Sequence, residues 1–171
     1  MKRCGFLRYL WVFSMPVFDF EYKISANQGQ SSISASNALQ FLGPVIPVQI
    51  AVPSALEQQL KHMNQQVPSP IAGDALIDTG ATISAVDDSV IRELGVAPID
   101  LANVGTGAGL NQQSIYPARF IVSNIGLGIE FSQVLGSNLK SARIIALLGR
   151  DVLSRMILIY NGKAGRLTIA Y

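Results

Sequence analysis

The chain has 171 residues, of which 49% are hydrophobic and 14% charged, and its formal net charge is +2. This length suits one domain with a sizeable core and is too short for an enzyme that is built from two domains of that kind. The small net charge excludes a strongly basic or acidic surface, so nucleic acid is not an expected partner. Cys4 and His62 are the only residues of their types, which excludes an internal disulfide, a cysteine-based metal site and any hydrolase that needs two histidines.

The beginning of the chain differs in composition from the rest. A basic start precedes the apolar stretch 5–18, which Arg8 interrupts, as in signal peptides and membrane anchors. The stretch is shorter than the roughly 20 residues that cross a bilayer, and no small-residue cleavage motif follows it. The pattern favours a peripheral or disordered leader over a cleaved signal, and a cytoplasmic location over export, with membrane association through the leader as the open alternative. The polar stretch 27–37 is interpreted as a linker, so we divide the chain into a leader with linker over 1–40 and a folded domain over 41–171.

The first part of the predicted domain contains a strand and a short helix. Residues 43–53 are rich in β-branched side chains, and their prolines suit an edge strand. Residues 55–66 carry Leu56, Leu60 and Met63 at helical spacing before two prolines end the pattern. We interpret this helix as an insertion between two strands.

A second short helix is predicted after residue 86. Asp87 or Asp88 can cap its start, and Gly95 can end it in a left-handed conformation. The segments that follow are β-favouring and are separated by turn residues. The predicted strands are 116–123, 127–135 and 143–148.

The last part of the chain predicts one more helix and a hairpin. Over 150–156, Asp151 lies in the first turn and Arg155 follows four residues later, a spacing that suits an ion pair. Two alternating strands then flank an Asn-Gly turn, which is a strong hairpin signal. These strands are 157–160 and 167–171. The whole pattern predicts a mainly β fold with one or two short helices.

The most informative motif places a carboxylate at the end of an apolar strand. Two carboxylates that are too close for both to ionise can hydrolyse a peptide bond, one as base for water and one as acid for the carbonyl. The motif reads, in order, Ala75, Leu76, Ile77, Asp78, Thr79, Gly80, Ala81. It resembles the catalytic motif of aspartic proteases, which use two carboxylates, and the chain contains it once. The resemblance therefore implies that Asp78 pairs with Asp78 of a second copy and that the two titrate as a unit.

Each residue after the aspartate has a physical reason to be there. Thr79 offers a small hydroxyl that can hydrogen-bond across the two-fold axis. Gly80 lets the backbone turn tightly beside the carboxylate, and Ala81 keeps the floor of the site narrow.

Two separated motifs resemble those of retropepsin-type aspartic proteases, the dimeric class known from retroviruses and from related cellular and bacterial proteins. The first is the run 76–81, and the second is the apolar run 144–148 followed by Gly149, Arg150 and Asp151. The resemblance covers about 43–171. It implies an all-β retropepsin-like acid protease fold, a closed or partly open barrel active as a homodimer on a peptide or protein substrate, with no cofactor and no metal ion. It also implies that Leu147, Leu148 and Gly149 pack beside the catalytic loop and that Arg150 and Asp151 open a supporting helix.

A glycine-rich stretch lies between the two motifs, where that family has its flap, a mobile hairpin that closes over the substrate. Glycines suit a tip that must open and approach a peptide backbone closely. A dinucleotide-binding loop is one alternative, although no apolar helical pattern follows, and a plain surface turn is the other. The candidate flap residues are Gly105, Thr106, Gly107, Ala108 and Gly109.

One position departs from the family pattern. Many members carry an acidic residue that pairs with the helix arginine, whereas this chain has Thr82. Arg150 is therefore expected to find another acceptor, Asp87 or Asp88. The terminal strand 167–171 is expected to supply dimer contacts.

Two other functions stay open on the sequence. One is a non-catalytic peptide-binding or dimerisation module on the same fold. The other is a processing protease that the leader tethers to a membrane or that removes the leader by self-cleavage.

Overall fold

Strands dominate the part of the chain that the structure, a computed structural model, describes: residues 15–23, 33–106 and 109–171. In chain order the strands are β1 Val17–Glu21, β2 Val45–Ala51, β3 Ile71–Ile77, β4 Ala85–Asp87, β5 Asp100–Thr106, β6 Gly109–Val122, β7 Leu127–Ser137, β8 Ala146–Leu148, β9 Ile157–Asn161 and β10 Arg166–Ala170. The α-helices are α1 Ala35–Leu42, α2 Ser54–His62, α3 Asp88–Glu93 and α4 Arg150–Leu153.

The larger sheet has the order β2-β3-β8-β4-β7-β6-β5, and β6 also pairs with β2. This extra pairing closes six of the described strands into a barrel and leaves β5 attached to β6 as the outer arm of a hairpin. Alternate side chains point inward and form the core, with Tyr116 and Phe120 among the fully buried ones and the Phe120 and Phe131 rings 4.6 Å apart. The predictions of a mainly β fold and of a closed or partly open barrel are confirmed.

The helices lie close to their predicted positions. The helix expected over 55–66 is α2, which joins β2 to β3 as an insertion. At α3 the Asp87 carboxylate accepts a hydrogen bond from the Ser89 N–H at 2.9 Å, and Gly95 has a left-handed φ of 71° just after the helix. Cap chemistry therefore predicted the start and the end of α3.

A smaller three-stranded sheet has the order β1-β10-β9. β10 is the central strand and pairs on both sides, so 167–171 has no free backbone edge, and the prediction that this strand supplies dimer contacts stays a prediction. The hairpin itself is confirmed, but its turn is longer than Asn-Gly. It includes Gly165 at φ 61°, where an added Cβ would lie 2.1 Å from the carbonyl carbon of Ala35.

Part of the segment assigned to the leader and linker packs on this body. The Tyr22 hydroxyl donates to the Val45 carbonyl oxygen at 2.7 Å, and α1 buries Ala38 and Leu39 in the core. The linker prediction is thus wrong for its last residues, 35–37, which form the first turn of α1. Residues 1–14 and 24–32 lie outside the described residues, and the domain division stays a prediction.

None of the helices within the described ranges has the length and apolar character that crossing a membrane requires.

Asp87 is a buried carboxylate that ties α3 to the barrel. Besides the Ser89 N–H, it accepts hydrogen bonds from the Ser89 hydroxyl and from the Leu139 N–H, the latter at 2.9 Å. Burial disfavours the charge, yet these hydrogen bonds outweigh it and hold the pKa of Asp87 below its usual range. Folding therefore favours the charged form of this group.

We expect Asp87 to make the protein sensitive to acid. Because its folded pKa is depressed, its contribution is present above the unfolded-state pKa of about 3.9 and is lost as the pH falls through the folded value. Asp87→Asn should lower the free energy of unfolding at neutral pH by about 1–3 kcal/mol and flatten its decline in acid. Urea unfolding at a series of pH values measures both. Ser89→Ala, which removes only the hydroxyl donor, should give an intermediate slope, and an unchanged slope in Asp87→Asn would contradict the assignment.

Candidate active site

Asp78 stands at the end of a strand in the middle of the barrel wall. β3 lies between β2, which is antiparallel to it, and β8, which is parallel. The Asp78 N–H donates to the Leu148 carbonyl oxygen at 2.9 Å, which extends the β3–β8 pairing by one residue. Ile77 before it is buried, whereas the Asp78 side chain is half-buried, so the carboxylate leaves the core and reaches the surface.

The residues after Asp78 fold into a tight turn around its carboxylate. The Gly80 N–H donates to Asp78 Oδ1 at 2.8 Å, and the Ala81 N–H donates to the Asp78 carbonyl oxygen at 3.2 Å. A Cβ on residue 80 would lie only 3.0 Å from Oδ1. Glycine at this position therefore leaves room for the carboxylate and supplies the N–H that orients it.

Arg150 clasps this turn from the start of α4. Its guanidinium donates to the carbonyl oxygens of Thr79 and Gly80 at 2.8 and 3.0 Å and to the Thr82 hydroxyl at 2.8 Å. The prediction that Arg150 would bind Asp87 or Asp88 is wrong. The turn presents three neutral oxygens to one planar donor group, and Thr82 itself is the side-chain acceptor.

A second connection joins the loop to α4 through Ser84 and Asp151. The Asp151 carboxylate accepts from the Ser84 N–H at 2.9 Å and from the Ser84 hydroxyl at 2.8 Å. The Ser84 hydroxyl oxygen in turn accepts from the Gly149 N–H at 3.0 Å. The Asp151 carboxylate therefore binds Ser84, and the prediction that it forms an ion pair with Arg155 is wrong.

Ser84 is the residue of this network that the sequence reasoning missed. It is fully buried, although it carries a hydroxyl and follows an exposed isoleucine, Ile83. A lone polar residue inside the apolar run 83–86 was the available signal, because a buried hydroxyl needs hydrogen-bond partners.

The structure brings together every residue predicted for the catalytic loop and its support: Asp78, Thr79, Gly80, Ala81, Leu148, Gly149 and Arg150. Three of the five candidate flap residues lie elsewhere, at the end of the β5–β6 hairpin. Gly105 pairs with Leu110 and Thr106 with Gly109, while Gly107 and Ala108 lie outside the described residues. The side chain of Leu110 is 81% exposed, so an apolar group stands in solvent beside this tip.

Solved structures similar to this chain include three proteases. A retropepsin-like aspartic protease from Rickettsia conorii is 16% identical, with 95% of this chain and 98% of that chain covered and a TM-score of 0.47. The EIAV protease, solved with the inhibitor HBY-793, is 17% identical over 77% of this chain and 93% of its own, with a TM-score of 0.42. The simian foamy virus protease is 21% identical over 63% and 91%, with a TM-score of 0.38.

No curated protein matches the chain. A family model described as "Aspartyl protease" matches residues 64–152, which is just over half of the chain and includes the loop around Asp78 and its support at Leu148, Gly149 and Arg150. The chain therefore belongs to the aspartyl protease family.

Proposed function

We propose that the protein is an aspartic endopeptidase that acts as a homodimer, with one Asp78 from each copy in a shared site. The proposal rests on the loop around Asp78, which is exposed in a single chain. It holds one half-buried carboxylate, oriented by the Gly80 N–H, and Thr79 and Gly80 beside it are exposed. A second copy of the same loop, placed across a two-fold axis, supplies the second carboxylate and covers this surface.

The chemistry follows from the closeness of two like charges. Only one of the paired carboxylates ionises, and it takes a proton from water while the water oxygen attacks the peptide carbonyl carbon. The protonated carboxyl of the other Asp78 gives its proton to the carbonyl oxygen, which forms a tetrahedral diol. The carboxyl that took the proton from water then gives it to the nitrogen as the carbon–nitrogen bond breaks. One hydroxyl of the diol gives its proton to the other carboxylate as the carbonyl re-forms, so the pair ends with one proton as it began.

The β5–β6 hairpin is suited to cover the substrate. It extends from the barrel as an outer arm, and β5 carries a second exposed apolar residue, Leu101, which is 56% exposed. We propose that Gly105, Thr106, Gly107, Ala108 and Gly109 form a flap tip that closes on an extended peptide and excludes water.

The three-stranded sheet offers the surface for dimerisation. With β10 in the centre, the outer strands are β1 and β9, and one exposed face of the sheet carries Val17, Ile157 and Ile159 next to the charged residues Asp19, Glu21 and Arg166. Apolar residues exposed along an outer strand favour pairing with another chain. We therefore place the dimer contact on this face and on the edge of β9.

Ile159→Lys is expected to weaken the dimer. Ile159 is 54% exposed in one chain, and burial of such a side chain contributes about 1–2 kcal/mol, so the dissociation constant should rise about tenfold. Sedimentation over a concentration series measures it, and activity should fall in parallel at low concentration. Ile99→Lys is the control, because Ile99 is 56% exposed and lies outside this sheet. Equal dissociation constants for the two variants would contradict the placement.

A peptide library incubated with the protein across a range of pH, with and without a statine-type inhibitor, tests the activity. Inhibitor-sensitive cleavage is the expected result. Peptide binding without cleavage at any pH would instead identify a non-catalytic module.

A further inference from the structure

An apolar groove outside the catalytic loop runs between β7 and α4. Its volume is about 680 Å³, and its walls include Leu127, Ile129, Val152, Met156 and Tyr171. About half of the residues that line the groove belong to β7. This strand runs along the groove from Leu127 to Leu135, a length of about 27 Å at ~3.4 Å per residue. Glu130, Asp151 and Arg155 also line the groove, but most of its wall is apolar, and an apolar surface of this size is typical of an interaction site.

The two ends of the groove can be placed. At one end the Tyr171 hydroxyl donates to the Ile125 carbonyl oxygen at 3.1 Å, close to the start of β7. At the other end the Leu135 N–H donates to the Ser84 carbonyl oxygen at 3.1 Å, next to Ile83. Ile83 also lines the groove, so this end lies beside the catalytic loop.

The chain itself arrives at the first end. The Tyr171 N–H donates to the Pro16 carbonyl oxygen at 3.3 Å, and the Phe18 and Tyr171 rings stack with their centroids 5.9 Å apart. Residues that precede Pro16 therefore start at the mouth of the groove, where Tyr171 forms part of the wall.

Those residues have the composition and the length to fill it. The segment 5–14, here called the leader segment, contains Phe6, Leu7, Leu10, Trp11 and Phe13 and a single charge. Ten residues span about 33 Å when extended and about 15 Å as a helix, so an extended leader segment matches the whole length of the groove.

We propose that the leader segment of each chain lies in the groove of the same chain, entering beside Tyr171 and running along β7 towards Ile83. Its aromatic and aliphatic side chains then cover the apolar walls. Since the far end lies beside the loop around Asp78, the proposed arrangement also covers part of Ile83, which is 46% exposed. This proposal concerns the leader and does not depend on proteolytic activity.

The only tryptophan of the chain, Trp11, lies in the leader segment and reports on its surroundings. In the full chain we expect blue-shifted emission and weak quenching by acrylamide. Met156→Glu places a charge in the groove wall and should shift the emission to the red and increase quenching. Met63→Glu is the matched control, because Met63 is exposed after α2 and does not line the groove, and it should change neither signal. Red-shifted, fully quenched Trp11 in the parent would overturn the proposal.

A second measurement does not use Met156→Glu, so it tests the proposal even if that variant does not fold. With Cys4 replaced by serine, a nitroxide is attached at Ser132→Cys, an exposed position that lines the groove. It should quench Trp11, whereas the same label at Ser69→Cys, exposed between α2 and β3, should not. The quenching should be independent of protein concentration. Quenching lost on dilution would assign the groove to the partner's leader and overturn the proposal, as would a blue shift that appears only with phospholipid vesicles.

Discussion

Asp78→Asn is expected to abolish peptide cleavage while the fold stays intact. The amide has nearly the shape of the carboxylate and still offers an oxygen to the Gly80 N–H, which now donates to Asp78 Oδ1 at 2.8 Å. It cannot take a proton from water, so the loss in kcat should be on the order of 10³-fold or more. Cleavage assays together with urea unfolding measure the two effects separately.

Asp74→Asn provides the matched control for this substitution. Asp74 lies on the same strand four residues earlier and is exposed, so the change in charge is identical and only the position differs. It should retain parental activity. Comparable losses in both variants would point to an effect of net charge and would contradict the catalytic assignment.

Mixing the parent with Asp78→Asn tests whether the site is shared. If each site takes one carboxylate from each copy, mixed dimers are inactive, and a tenfold excess of the variant should remove most of the parental activity after exchange. The loss should follow the fraction of mixed dimers measured by sedimentation. Activity that depends only on the amount of parent present would show that one chain suffices.

The tight turn around Asp78 could be predicted from the sequence because its determinants are local. An apolar strand, a carboxylate and a glycine turn follow one another within 75–81, and each constrains the backbone of its neighbours. The resemblance to a known family then supplied the partner strand, since Leu147 and Leu148 pair in register with Leu76 and Ile77. Local pattern and family motif together predicted that these two segments are neighbours.

The contacts that hold the loop were predicted less well because they are made over long sequence distances. Two of the three acceptors of Arg150 are backbone carbonyl oxygens, which every residue has and no sequence pattern reveals. Ser84 and Asp151 are 67 positions apart, so only the fold shows that they meet. The central position of β10 was also missed, because a hairpin signal identifies β9 as one neighbour and says nothing about the other side.

Gly149→Ala is expected to lower both stability and activity, because the backbones at Gly149 and Ile83 pack against each other without room for a Cβ. Gly149 lies at the start of α4 with a φ of −91°, which any residue can adopt, so conformation alone does not require glycine. An added Cβ, however, would lie 2.8 Å from the carbonyl carbon of Ile83 and 3.0 Å from its oxygen. Backbone atoms cannot rotate away as a side chain can, and the free energy of unfolding should fall by about 1–3 kcal/mol or more.

The same displacement should reach the catalytic loop, because the Gly149 N–H binds the Ser84 hydroxyl and the next residue, Arg150, clasps the turn after Asp78. A shift of about 1 Å at a reacting group costs on the order of 10²-fold in rate, so the folded fraction of Gly149→Ala should also be slow. Gly128→Ala is the control, since no atom lies within 4 Å of an added Cβ there. If Gly149→Ala lost stability but kept the parental kcat, α4 would support the fold without positioning the carboxylate.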